Sequence, residues 1–121
     1  MATAAQVLVG LVAVLHVYFL VLEMFLWTTP FGRRTFAKSA EEMEQTKVMA
    51  SNQGLYNGFL AAGLVWSLIA AEPMAYALSL FFLGCVVIAG IFGAATASRK
   101  ILFVQALPAM AAALVTVLAH R

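Results

Sequence analysis

Four stretches of the chain are nearly unbroken runs of apolar side chains: residues 4–27, 49–71, 74–97 and 101–119. Each is close to the ~20 residues a helix needs to cross the hydrocarbon core of a bilayer. The breaks between them are chemically apt. Thr28, Thr29, Pro30 and Gly32 close the first run, Glu72 and Pro73 the second, and Ser98, Arg99 and Lys100 the third. The first run is too long for the core of a signal peptide and is expected as a retained span. The pattern predicts an all-α fold: a transmembrane four-helix bundle, one membrane domain over residues 1–121, with helices at about 4–27, 40–71, 74–97 and 101–119.

The second helix is expected to start before the membrane does. Ser39, Ala40, Glu41 and Glu42 have the S-x-x-E spacing of a capping box, and Glu41, Glu42 and Glu44 fall in the first turns, where the helix dipole favours anions. The membrane part is then residues 49–71, with roughly two turns projecting ahead of it. These glutamates are read as a solvated helix start.

Composition sharpens the class. With 64% hydrophobic and 10% charged residues, and a mean hydropathy of +1.00, a soluble catalytic domain is excluded. The single cysteine, Cys85, lies in an apolar run, so neither an intrachain disulfide nor a thiolate metal cluster can form, and no metal site is predicted. The net charge of +2 would raise the question of nucleic acid in a soluble chain. Here the cations flank apolar runs, so the expected partner is the lipid bilayer and no nucleic acid. Alternating spans put Arg33, Arg34, Lys38, Lys47, Arg99 and Lys100 on one side and leave only Arg121 on the other. That bias predicts a multi-pass protein of the bacterial inner membrane, with its first and third loops cytoplasmic and both termini outside.

Chemistry is sought in polar groups at membrane depth, because each is costly there and tends to face the bundle interior. The first helix offers His16 and Glu23, seven residues apart and therefore within about 20° of one another around the helix. The second offers Gln45, Asn52, Gln53, Tyr56 and Asn57 inside an arc of roughly 140°, with Ser51, Gly54, Gly58 and Ala62 as a small-residue ridge behind them. Val48, Leu55, Phe59 and Trp66 are left as a lipid-facing strip. The fourth helix adds Gln105, three residues before Pro108. His16 and Glu23 are the candidate proton-transfer pair, and Asn52, Gln53, Tyr56, Asn57 and Gln105 the candidate ligand-binding residues, around a polar cavity in the cytoplasmic half. A structural reading stands beside this one: His16 as a neutral imidazole bonded to a neighbouring helix, and Glu23 as an interfacial carboxylate.

The runs LHVYFLVLEMFLWTTPFGRRTF from Leu15 and SNQGLYNGFLAAGL from Ser51, with VQALPA from Val104, resemble a bacterial family catalogued as domain of unknown function 1304. The resemblance implies a small four-helix integral membrane protein without an established activity. It also implies that His16, Glu23, Asn52, Gln53, Asn57 and Gln105 belong to the family's pattern. In architecture alone the chain is similar to the membrane glutathione and eicosanoid enzymes, which suggests glutathione as a cofactor by analogy only. It departs from them at Leu55, where an acidic residue is expected.

The function read from these observations is the binding of a small amphipathic molecule or lipid, with isomerisation or group transfer as an extension, in a homo-oligomer. Two alternatives stay open. One is a proton-coupled transporter resembling the small multidrug exporters, with Glu23 as its carboxylate. The other is a non-catalytic oligomeric or partner subunit, with the polar face as adhesive.

Overall fold

The computed structural model describes residues 2–120 and is helical, with no strand among the described residues. In chain order the helices are α1 (Thr3–Met24), α2 (Pro30–Phe36), α3 (Ala40–Ile69) and α4 (Met74–Thr96), followed by a π-helical segment Leu102–Ala106 that runs into α5 (Leu107–His120). Arg121, the lone cation assigned to the outer side, lies outside the described residues.

Three segments are long and apolar enough to cross a membrane: Thr3–Met24, Met74–Thr96 and Leu102–His120. The longest helix, α3, is not among them, because Asn52, Gln53, Tyr56 and Asn57 interrupt its apolar run. Large side chains such as Leu11, Val14, Phe81, Ile88, Phe92, Phe103 and Leu114 point outward and are more than half exposed. So much exposed apolar surface suits a hydrocarbon solvent, whereas in water it would drive aggregation. The chain has the character of a membrane protein.

The chain falls into two compact units, residues 15–59 and the remainder. The unit formed by residues 2–14 and 60–120 has an apolar core of Val9, Val12, Ala13, Leu64, Leu83, Val86, Ala109 and Ala112, none more than 4% exposed. Small residues let its helices meet at backbone distance. A Cβ on Gly90 would stand 2.7 Å from the Cβ of Ala106 and 2.8 Å from its backbone nitrogen, so only a residue without one fits that crossing. The buried hydroxyls of Ser67, Ser79 and Thr116 donate to carbonyls of their own helices, at Leu64, Ala75 and Ala112. Near its end Tyr76 stacks on His120 with ring centroids 3.6 Å apart.

The π segment has a local cause. Pro108 has no N–H, and in an α-helix its ring would press on the carbonyl of Val104. In the turn before it Leu107 N–H bonds Leu102 O, five residues back, so the helix widens ahead of the proline.

The unit of residues 15–59 contains the end of α1, all of α2 and the first two-thirds of α3. Where an uninterrupted loop was expected, Pro30–Phe36 is a short helix. Thr29 caps it, accepting from Gly32 N at 3.2 Å while its own hydroxyl donates to Leu26 O at 2.6 Å. The helix closes in a Schellman turn: Ala37 is left-handed at φ 53°, ψ 44°, and Lys38 N–H returns to Arg33 O. The capping box then forms as its spacing predicts, Glu42 N–H donating to Ser39 Oγ and Ser39 N–H to Glu42 Oε1.

Candidate functional site

Within residues 15–59 the α1 and α3 backbones are brought close by Gly54. A Cβ there would lie 2.5 Å from Met24 Cγ and 3.2 Å from both Glu23 Cβ and Leu20 O. One turn on, a Cβ on Gly58 would meet Leu20 Cδ1 at 2.8 Å. The small-residue ridge therefore receives α1. Asn57 lies three residues from Gly54, hence on the neighbouring flank of the same face, and its Nδ2 donates to Glu23 Oε1 at 2.5 Å. This amide–carboxylate bond joins side chains 34 positions apart in the chain.

A second tie lies closer to the α1 terminus. The Trp27 indole Nε1 donates to Thr46 Oγ1 at 3.0 Å, and Thr46 Oγ1 in turn donates to Glu42 O at 2.8 Å, so the indole is joined to the α3 backbone through one hydroxyl. Trp27 also packs on Phe36, ring centroids 4.7 Å apart. Together these contacts fix the connection between α1 and α2 upon the first turns of α3.

Between the two ties is an open cleft of about 350 Å³. Its polar lining includes Glu23, Lys47, Ser51 and Asn52, and its apolar lining Met24, Phe25 and Val48. The bond from Asn57 occupies one oxygen of Glu23, and a carboxylate with about four acceptor sites can still accept from a donor in the cleft. Lys47 is exposed and ion-paired with Glu44 on its own helix. A lining with a carboxylate, an amide, a hydroxyl and an ammonium beside apolar side chains is suited to hold the polar end of an amphipathic molecule.

Of the residues singled out in the sequence, the cleft brings together Glu23 and Asn52, with Asn57 bonded to Glu23. His16 is fully buried, about two turns before Glu23 along α1, and packs edge-on against Phe19 with centroids 5.2 Å apart. It is not part of the cleft lining. Gln53 and Tyr56 are exposed, Tyr56 beside Phe59. Gln105 sits on the π segment, in the other unit. Among the described residues no cluster of histidine, cysteine and carboxylates could hold a metal.

The polar side chains of α3 are thus not one working face. Asn57 belongs to the flank that meets α1, whereas Gln53 and Tyr56 point away from it. Lys47 and Ser51, which the sequence offers as a flanking cation and a ridge residue and not as site residues, stand four residues apart, and seven and three residues before Gly54. That spacing marks the face packed by α1 and was the available signal. Val48, Leu55, Phe59 and Trp66 are exposed, Val48 at the apolar wall of the cleft.

Comparison with known proteins gives a family and no activity. A family described as "Protein of unknown function (DUF1304)" matches residues 10–117. A relative from Lactococcus lactis subsp. lactis (strain IL1403), "Uncharacterized protein YpaA", is 29% identical over 97 residues, covering 78% of this chain and 81% of its own. No solved structure matches.

Proposed function

We propose, for a chain that belongs to the DUF1304 family of proteins of unknown function, that it binds the polar end of a small amphipathic molecule or lipid in the cleft beside Glu23. The observation that carries this reading is the carboxylate of Glu23, held by Asn57 at the edge of a cleft whose other walls are partly apolar. Asn52 contributes an amide to the same lining, and Ser51 a hydroxyl. Gln53 and Tyr56, exposed further along α3, extend the binding set beyond the cleft. His16 and Glu23 lie about 10 Å apart along one helix, which makes proton transfer through an intervening water or ligand the catalytic extension, in an isomerisation or group transfer. The same Glu23 would serve a proton-coupled exporter, and transport in proteoliposomes is what separates that reading. A non-catalytic subunit would hold no small molecule at all.

The membrane setting belongs to the same proposal. The four-helix bundle has α3 as its fourth span, in the bacterial inner membrane with the first and third loops cytoplasmic and both termini outside. Copies associate as a homo-oligomer. A reporter at Lys38 reads cytoplasmic and one fused after Arg121 periplasmic; the same signal from both overturns this topology.

The binding test is native mass spectrometry of the purified full chain. The wild type is expected to retain a small-molecule or lipid adduct, and Glu23→Gln and Asn57→Leu to lose it. A wild type without an adduct, or adducts indifferent to both substitutions, overturns the proposal.

A further inference from the structure

A second concavity in residues 15–59 has a different chemistry. It lies along α2 and the turn into α3 as an open depression of about 490 Å³, lined by Arg33, Arg34, Lys38, Ala37 and Ser39 among others, with no carboxylate in its lining. The glutamates that open α3 are engaged on that helix: Glu42 accepts from Ser39, Glu41 from Gln45, and Glu44 pairs with Lys47. Arg33, Arg34 and Lys38 form no ion pair among the described residues. Three like charges therefore share one hollow without a counter-ion among the described residues.

Their grouping is built into the backbone. A helix leaving position 36 in the ordinary way would carry Lys38 onward; instead Ala37 takes the left-handed conformation and Lys38 N–H bonds back to Arg33 O. That conformation costs an L-residue about 1 kcal/mol, and glycine is its usual occupant. The turn brings Lys38 back beside Arg33 and Arg34. The scaffold beneath is held by the Thr29 cap, the Trp27–Phe36 ring contact and the Trp27–Thr46 bond. Phe31, on the same short helix, is 43% exposed, and an exposed aromatic beside cations marks a surface at the level of lipid headgroups.

We propose that this hollow binds a phosphate group, as monoester or diester, with Arg33, Arg34 and Lys38 donating charge-assisted hydrogen bonds to its oxygens. The volume leaves room for the alcohol that the phosphate esterifies. This site is distinct from the cleft at Glu23 and stands whether or not that cleft binds a ligand. The phosphate can come from an anionic lipid headgroup or from a soluble phosphorylated molecule.

The test uses the purified full chain in detergent, offered short-chain phosphatidylglycerol, short-chain phosphatidylcholine or inorganic phosphate, with bound lipid counted by native mass spectrometry. The wild type is expected to prefer phosphatidylglycerol, because the choline cation is repelled. Arg33→Gln/Arg34→Gln/Lys38→Gln is expected to lose that preference by about tenfold or more. Arg99→Gln/Lys100→Gln, which removes charge from the third loop, is expected to retain it. The single exposed variant Arg34→Gln, expected to lose about two- to fivefold, covers the event that the triple variant does not fold. Displacement of the lipid by inorganic phosphate supports the soluble source; lipid retention against phosphate supports the headgroup. Equal loss in the third-loop control, no loss in Arg34→Gln, or no anionic preference in the wild type overturns the site.

Discussion

The buried hydroxyls of one unit and the side-chain pairs of the other are satisfied over different distances along the chain. In residues 2–14 and 60–120 the buried hydroxyls of Ser67, Ser79 and Thr116 donate to carbonyls of their own helices three or four residues back. Each has a partner within its own helix, and between helices of that unit Gly90 approaches Ala106 at backbone distance and Tyr76 stacks on His120. In residues 15–59 the polar bonds run between elements: Asn57 to Glu23 and Trp27 to Thr46. A helix-internal bond is compatible with any neighbour, whereas a bond between helices specifies one. The difference teaches that a hydroxyl bonded within its own helix leaves the choice of neighbour to shape, and that a bond between helices makes that choice by pairing.

Substitutions that add a methyl group test the part played by shape, and the largest effect is expected at Gly32. An added Cβ would stand 2.1 Å from Leu26 O and 2.6 Å from Trp27 O, both backbone atoms that cannot rotate aside. Gly32→Ala is expected to cost upward of about 3 kcal/mol, or to prevent α2 from forming, read as a fall in thermal unfolding temperature in detergent. An unchanged midpoint would mean that α2 does not pack on the α1 terminus.

Next is Gly90→Ala against Gly54→Ala. Gly90 faces backbone atoms of Ala106, while the nearest atom to Gly54 is the Cγ of Met24, which can swing away. Gly90→Ala is expected to cost about 1–3 kcal/mol and Gly54→Ala distinctly less. The larger changes Gly54→Leu and Gly58→Leu exceed what Met24 and Leu20 can yield and are expected to separate α1 from α3. Unchanged size and stability in detergent for both leucine variants would show that this ridge faces lipid.

Pairing is tested at the next smaller scale. Asn57→Leu removes the partner of Glu23 and is expected to cost on the order of 1 kcal/mol, as hydrogen bonds between membrane helices do. Thr116→Val keeps nearly the same volume and removes only a helix-internal bond, with an expected change below about 0.5 kcal/mol. If Thr116→Val proved as costly as Asn57→Leu in the same unfolding measurement, the contrast between the units would fail.

The smallest effect is a gain. Ala37→Gly relieves the left-handed residue that closes α2 and is expected to stabilise by about 1 kcal/mol or less. A loss of stability instead would mean that the Ala37 methyl makes contacts that outweigh its backbone cost.

How much of this was legible without coordinates depends on the distance over which each feature is decided. The helical class, the apolar spans and the start of α3 are local. Hydropathy over ~20 residues and the spacing of Ser39 and Glu42 suffice, because the groups that satisfy one another lie within one or two turns. That Val48, Leu55, Phe59 and Trp66 share an exposed strip is legible for the same reason, since helical period alone sets which side chains share a face. The short helix α2 is local too, yet the sequence leaves it open. Thr29-Pro30 reads equally as a turn or as a cap followed by a first-turn proline, and only the contact of Phe36 with Trp27 decides between them.

What tertiary structure alone decided is which neighbour occupies each face. Helical period places Asn52, Gln53, Tyr56 and Asn57 around α3, but it carries no information about where α1 lies. With α1 seated on Gly54, Asn57 becomes the partner of Glu23, Asn52 joins the lining of the cleft, and Gln53 and Tyr56 are left exposed. The positions 23 and 57 meet because a glycine at 54 removes the side chain that would hold the backbones apart, and that is a property of two surfaces in contact, invisible in either helix by itself.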